Sequence, residues 1–579
     1  MKSAFKHLGW FFKKEYKKYL FIAIILLVLA FTPVLPARFL GRAIDEIAGG
    51  ILTKESLIYF VLALMLIPIM RFILNKIYHY QISLLGHQLS YQLRENYIAH
   101  LFELDSTNFD NYTKGDLITR ATSDLQNLTM LATNFLQTLV FNSGVVISAI
   151  VMMIIINPLL TLVSIFIMPV AIFWLNKRRL KKRSYYKTHR EIYSEMTETV
   201  LESIEGVKAI RAYGEEENNF KKAKSAIDND INSWWHIIKF ESIYGPLFEL
   251  VYTVCYFIGI SLGSFFVIYS YISAGDLVTF LMYIGMLYGP LIALSNVLNN
   301  VNNIIISDQR YFEILETVPE VKDHQDSVEV IDFNRIIYKN VSLKYPDSEQ
   351  PAIKNINFYI KKGETIGVVG PTGSGKSSLI RPLLRQYNVT EGKILIDDIN
   401  LQDILVEDVH DLIGYVPQDH VLFRRSVDDN ILIGNPKATG KDINVAVSLA
   451  DFDKDIKALP YGLETMVAEL GSSLSGGQKQ RLSIARALVK NPQILILDDS
   501  LSAVDALTEK NIIKNLKETR GNKTNIIIAH RFSAVASADK ILVMQNGVIT
   551  DIGTHQELLR YDNWYKMQYL KQFKGEQHA

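Results

Sequence analysis

The sequence predicts a multidomain chain in which an all-α domain of six membrane-spanning helices, with long cytoplasmic helical extensions, precedes an α/β domain. Three observations carry that expectation. Apolar runs of spanning length crowd residues 19–298. From 336 onward the chain alternates strand-like and helix-like segments, the signature of a mainly parallel sheet. Within that half, the apolar run Thr365-Ile-Gly-Val-Val369 leads into Gly370-Pro-Thr-Gly-Ser-Gly-Lys376-Ser377 and then into the helix-like Ser378–Leu384.

At 579 residues, 49% of them hydrophobic, and with a mean hydropathy of +0.13, the chain is too long for one domain and too apolar for an ordinary soluble enzyme. A net charge of +1 argues against a binder of nucleic acid. Cys255 is the only cysteine, which excludes an intramolecular disulfide or a thiolate metal cluster; in its apolar run it reads as a buried, inert thiol. The basic start, from Lys2 to Lys18, runs into a long apolar span without a small-residue cleavage site, so the first span is expected to remain as an anchor.

The six spans fall near 19–40, 57–79, 133–156, 159–178, 245–270 and 276–298, each meeting the length of about 20 apolar residues that a bilayer requires. Basic residues sit before the first span and after the fourth (Lys177, Arg178, Arg179, Lys181, Lys182, Arg183), which puts both termini on the cytoplasmic side of a plasma membrane. The two long cytoplasmic connections, about 80–132 and 179–244, read as helical continuations of the spans, with turn-like apices at Asp105–Gly115 and Ile210–Glu215. The sequons at Asn111 and Asn127 then lie on the wrong side for glycosylation and read as chance. Among polar residues inside spans, Glu249 pairs either with a cationic cargo or with Arg71 of the second span. Gln137, Asn142, Asn296 and Asn299 either line a cavity or bond between helices. No residue there names a substrate.

The domain bounds follow: a membrane domain over 1–305, a charged and Pro-containing linker over 306–335, and the α/β domain over 336–579. In the α/β domain, the stretch from Gly370 matches G-x-x-x-x-G-K-[ST] with a strand before and a helix after, the setting a phosphate-binding loop needs. Glycines let the backbone turn its N–H groups onto phosphates, and the helix N-terminus adds partial positive charge. The nucleotide contacts expected are Gly370, Thr372, Gly373, Ser374, Gly375, Lys376, Ser377 and Ser378, with Lys376 reaching the β- and γ-phosphates and Ser377 offering its hydroxyl to Mg²⁺.

Three further residues belong to the same chemistry. Asp498 ends the apolar strand Ile494-Leu-Ile-Leu-Asp498, where a nucleotide hydrolase holds Mg²⁺. Gln418, in Tyr415-Val-Pro-Gln418, is expected at the metal or the attacking water, and His530, closing Asn525-Ile-Ile-Ile-Ala-His530, at the γ-phosphate. Leu474-Ser-Gly-Gly-Gln478 feeds another helix and makes a second anion site in one domain. Two such domains arranged head to tail, each loop closing on the other's nucleotide, resolve the duplication.

Over essentially its whole length the chain resembles half-size ATP-binding cassette (ABC) exporters, with six spans followed by one cassette. The resemblance implies ATP and Mg²⁺ as ligands, a second half-transporter as partner, a lipid bilayer around the first domain and a hydrophobic or amphiphilic cargo. By that likeness Gly370–Ser377 is the Walker A loop, Asp498 the Walker B carboxylate, Gln418 the Q-loop residue and His530 the switch histidine. Ser475, Gly476, Gly477 and Gln478 are the signature loop, Asp505 belongs to the D-loop, and Tyr345 is the aromatic that stacks on adenine. Thr465–Glu469 resembles the loop that meets the coupling helices, with Ala468 where Gly is usual. The likeness also implies that Gly115–Arg120 and Glu205–Tyr213 belong to the cytoplasmic connections.

One departure matters. The family usually places Glu after the Walker B Asp, and here the pair is Asp498-Asp499. The shorter side chain sets its carboxylate roughly 1–1.5 Å back, and a displacement of about 1 Å costs on the order of 10²-fold in rate. One reading is a slower catalytic Asp499. The other follows the resemblance to the degenerate-site subunits of bacterial heterodimeric multidrug exporters, whose own Walker motifs hydrolyse poorly while their signature loop completes the partner's site. The alternatives are a homodimeric lipid or peptide exporter, and an ATP-gated channel.

Overall fold

The computed structural model describes residues 2–324, 326–346 and 348–576; the side chains of 136, 171–183, 244, 245, 248, 295, 298–300, 470 and 573–576 lie outside the description. Two compact units emerge. The first comprises Met1–Ala99 and Gly115–Glu316, the second His100–Lys114 and Thr317–Ala579.

The first unit is helical. Among the described residues five helices are long and apolar enough to cross a membrane: Tyr16–Ala48, Lys54–Glu103, Lys114–Ile156, Glu249–Ile268 and Ala274–Leu294. A shorter apolar helix, Pro158–Val170, begins where the fourth span is expected, and the rest of that span runs into side chains outside the description. The basic cluster from Lys177 to Arg183, Tyr244, Gly245 and Asn299 lie outside it too. Asn157 ends one helix in an extended conformation and caps the next by accepting from the backbone N–H of Leu160 at 3.0 Å, with Pro158 behind it.

The connections are helical, as expected. Lys54–Glu103 is one helix of 50 residues and Glu216–Ile268 one of 53. The first apex is the short helix Ser106–Asp110, capped by Asp105, and the second is Val207–Tyr213, closed by Gly214 in the left-handed region at φ +69°. The helix bearing the sixth span continues to Glu316, so the linker expected from 306 starts inside a helix. Charge misled the reading: the helix buries Tyr311 and Ile314 on one stripe and turns Gln309, Arg310, Glu313 and Glu316 elsewhere.

Glu249 and Arg71 are both exposed and form no ion pair with each other among the described residues, which removes that pairing. Asn142 bonds along its own helix to the carbonyl of Thr138 at 2.9 Å, Gln137 is half-buried and Asn296 is exposed. A close contact in this unit joins Val34–Ala48 to the start of Ala274–Glu316 through two glycines. A Cβ on Gly41 would come within 1.9 Å of the Thr279 hydroxyl, and one on Gly275 within 1.9 Å of the Gly41 carbonyl. Around them Asp45 accepts from the Ser273 hydroxyl (2.6 Å) and the Gly275 N–H (2.7 Å), while Arg38 pairs with Asp276 at 2.5 Å.

The second unit holds two sheets. Strands β1 (Arg335–Leu343), β2 (Ile353–Lys361), β4 (Glu391–Ile396) and β5 (Ile399–Asn400) form an antiparallel sheet in the order β2-β1-β4-β5. Strands β3 (Thr365–Val369), β6 (Ile413–Val416), β7 (Ile494–Asp498), β8 (Thr524–Ile528), β9 (Lys540–Gln545) and β10 (Val548–Gly553) form the larger sheet, ordered β10-β9-β3-β8-β7-β6. All its pairings are parallel except β10 with β9. β7 and β8 are buried at every position, as strands covered on both faces must be. Placing Val at Gly275 should overpack the glycine contact and cost about 1–3 kcal/mol, seen as a lowered midpoint of thermal unfolding in detergent; Gly289→Ala, inside the same helix where a Cβ meets nothing within 4 Å, should leave it unchanged or slightly raised.

Candidate functional site: a phosphate-loop cleft

The three parallel strands β3, β8 and β7 end side by side, and the residues after their carboxyl ends build one cleft. It is an open cleft of about 240 Å³, lined by Thr372, Gly373, Ser374, Gly375, Lys376, Ser377, Ser378, Gln418, Asp498, Asp499 and His530, together with Ala352 and Ile528. A crevice at the carboxyl ends of parallel strands is where α/β sheets bind ligands.

The loop that walls it is shaped by glycine. Gly373 and Gly375 stand at φ +79° and +94°, and a Cβ on Gly370 would come within 2.2 Å of the Met544 carbonyl. The helix that follows, Lys376–Ile380, is shorter than Ser378–Leu384 suggested. Pro382 stops it, because a proline ring clashes with the preceding turn.

Lys376 folds back to donate to the carbonyls of Gly370 (3.0 Å) and Pro371 (2.9 Å). Burial pulls its ammonium below the ordinary value, and the facing carboxylates of Asp499 and Asp498 oppose that pull. The Ser377 hydroxyl donates to Asp498 at 3.0 Å, and the Tyr415 hydroxyl reaches its other oxygen at 3.4 Å. Burial pushes the Asp498 carboxyl upward, while those two hydroxyls and the Arg381 guanidinium draw it back down. Asp499 sits beside it at φ +47°, a left-handed conformation that Asp tolerates better than most residues, with its N–H on the carbonyl of Ile528.

These residues fit a triphosphate and a divalent cation. The buried Ser374 hydroxyl has no protein partner, which leaves it free for a phosphate oxygen. Ser377 and Asp498 bring two hard oxygens together, and among the described residues no three His, Cys, Asp or Glu side chains group as a metal cage. A magnesium ion that takes one or two protein ligands and completes its shell with phosphate and water needs no more.

Other expected residues lie apart from the cleft. Ser475 caps the helix Gly476–Leu488 in a capping box with Gln478, exposed to solvent, and none of Ser475–Gln478 lines the cleft. Asp505 caps Ala506–Thr519 by accepting from the N–H groups of Leu507 and Thr508. Gln480 holds the D-loop by accepting from the Ala503 N–H at 3.1 Å. Tyr345 stands at the border, its hydroxyl 3.0 Å from that of Ser378. Sequence reading missed Tyr415 and Arg381. Tyr415 was quoted only as a neighbour of Gln418 and Arg381 only within the stretch Ser378–Leu384, and nothing local marks either as facing Asp498.

The description "ABC transporter transmembrane region" matches residues 19–291 and the description "ABC transporter" residues 353–502. The chain belongs to the ABC transporter family. It is 37% identical over 573 residues to the probable multidrug resistance ABC transporter ATP-binding/permease protein YheI of Bacillus subtilis, covering 99% of this chain and 98% of that one. With the multidrug resistance-like ATP-binding protein MdlA of Escherichia coli it shares 31% identity over 98% and 96% of the two chains. The solved structure of a bacterial Atm1-family ABC exporter with ATP bound superposes with a TM-score of 0.78 at 26% identity, over 96% of this chain and 98% of that one. The chain is therefore an ABC exporter with fused membrane and ATP-binding domains, an ATP hydrolase coupled to transport.

Because burial already raises the Asp498 carboxyl, protons compete with Mg²⁺ there at a higher pH than at an exposed aspartate. Removing the Tyr415 hydroxyl raises it further, so Tyr415→Phe should need more Mg²⁺ than the parent to retain ATP in acid, by about twofold, with the gap closing as the pH rises and the carboxylate is fully ionised in both. A Mg²⁺ titration of bound fluorescent ATP reads both values.

Proposed function

We propose that this chain is one half of a heterodimeric exporter of amphiphilic, drug-like compounds in the plasma membrane, and that its own phosphate cleft binds ATP but hydrolyses it weakly. The observation that carries the reading is Asp499, which lines the cleft beside Asp498 where exporters of this kind usually carry Glu. The multidrug names of its relatives support the cargo class. The basic residues before the first span support an orientation with both termini and the cassette in the cytoplasm.

In the cleft, Gly370, Thr372, Gly373, Ser374, Gly375, Lys376 and Ser378 hold the phosphates, Tyr345 carries the base, and Ser377, Asp498 and Gln418 hold the cation. Mg²⁺, when bound, neutralises charge that develops on the phosphate oxygens. Asp499, Gln418 and His530 orient the attacking water, Asp499 from a carboxylate that stands short of its target. The exposed loop Ser475-Gly-Gly-Gln478 and the neighbouring Asp505 meet a nucleotide held by the partner half. ATP bound between two cassettes favours the closed state because it touches both halves only there. Closure, passed on through the cytoplasmic apices, turns the cavity outward.

Two substitutions test this in the complex purified from its native membrane. Asp499→Asn should keep at least about half of the ATPase rate, whereas Gln at the partner's corresponding Glu should lower it by about 10²-fold or more. Robust turnover by this chain purified without a partner, or collapse of activity in Asp499→Asn, would overturn the assignment.

A further inference from the structure

The start of the chain concentrates a charge that the chain as a whole does not carry. The net charge is +1, yet Lys2, Lys6, Lys13, Lys14, Lys17 and Lys18 fall within residues 2–18 with a single acid, Glu15. Glu15 is taken by Lys18 at 2.7 Å. The other five lysines are exposed and form no ion pair among the described residues.

Packing decides where those lysines point. Two short helices, Lys2–His7 and Gly9–Lys14, lead into the apolar helix Tyr16–Phe31. Ala4, Leu8 and Phe11 are buried, a stripe at helical spacing that seats the segment on the first unit. On the seated side the His7 ring lies against Phe312 at 4.0 Å, with Nδ1 3.0 Å from the Asp308 carboxylate, both on Ala274–Glu316. Phe5 meets Phe135 edge to face at 6.3 Å. What remains facing outward is the five lysines with Trp10 and Tyr16 among them, those rings 41% and 58% exposed.

We propose that the outward side of Lys2–Lys17 is a binding surface for the phosphates of anionic phospholipids, and that lipid held there braces the helix Ala274–Glu316 through His7. Tyr and Trp rings favour the boundary between water and hydrocarbon, and clustered ammonium groups just before a span attract anionic headgroups. A zwitterionic headgroup returns a positive charge with its phosphate and gains little from the lysines. A soluble polyanion would neutralise them but leave Trp10 and Tyr16 in water. Only an anionic bilayer surface satisfies the charges and the rings together.

Trp10 is a probe already in place. The full chain, purified with whatever second half accompanies it, is placed in bilayer discs of phosphatidylcholine, alone or with about one-quarter phosphatidylglycerol. Brominated lipids quench tryptophan on contact, and the part of the quenching that Trp10→Phe removes belongs to this segment. Brominated phosphatidylglycerol should quench that part at least about twofold more than brominated phosphatidylcholine at equal mole fraction. Phosphatidylglycerol should also raise the midpoint of thermal unfolding, because a ligand of the folded state stabilises it. Lys2→Gln, Lys6→Gln, Lys13→Gln, Lys14→Gln and Lys17→Gln combined should remove both differences, and Arg at the same five positions should keep them. His7→Ala should keep the quenching preference and lose the gain in midpoint. Equal quenching of the parent by the two lipids would overturn the proposal and point to an acidic protein surface instead. A preference that survives in the Gln variant, or disappears in the Arg variant, would overturn it too, and a full gain in midpoint in His7→Ala would overturn the brace. The parent's contrast between the two lipids decides even where the Gln variant fails to fold.

Discussion

The second unit depends on the parallel register of β3, β8 and β7. Pairing Ile366 with Ile526, and Leu497 with Ile527, aligns three strand ends so that Gly370, His530 and Asp498 emerge at one edge. None of these residues is near another in sequence. Their meeting follows from buried apolar strands that can pair only in the interior of the sheet, with helices covering both faces. Once the strand ends are fixed, the glycine loop has little freedom. Its positive-φ residues and the near contact of Gly370 with Met544 leave one path around the cleft.

A tension of charge is built into that cleft. Lys376, Asp498 and Asp499 share a partly dry space, and burial disfavours the charged form of Lys376 and of Asp498. Hydroxyls of Ser377 and Tyr415 offset part of that cost for Asp498, and a phosphate chain with its cation would supply the rest of the complementary charge.

The membrane unit obeys a different constraint. Its long helices expose Leu62, Met65, Leu66 and Phe72 along Lys54–Glu103, a surface that only lipid or another apolar partner can cover. At one helix contact small residues and short polar bonds bring the backbones together, at Gly41, Gly275, Asp45 and Ser273, while bulky side chains such as Met153, Phe280 and Tyr283 fill the neighbouring core. Hydrocarbon offers no hydrophobic advantage to helix association, so close backbone approach and hydrogen bonds carry it.

Sequence by itself determined the two-part architecture, the helical nature of both connections and the residues of the cleft. Those signals are local: apolar length, strand–glycine–helix order, and a carboxylate at the end of an apolar strand. It misread the end of the last membrane helix, because charges on one face of a helix look like a linker when faces are not yet known. It also gave the loop helix too many residues, although Pro382 was visible. Only the tertiary structure decided that Gln480 holds the D-loop at Ala503, that Arg71 and Glu249 do not pair, and that Tyr387 reaches Asp110. The last is a contact between residues 277 positions apart along the chain, and a side chain's distant partner, or its lack of one, leaves no periodic trace in the sequence around it.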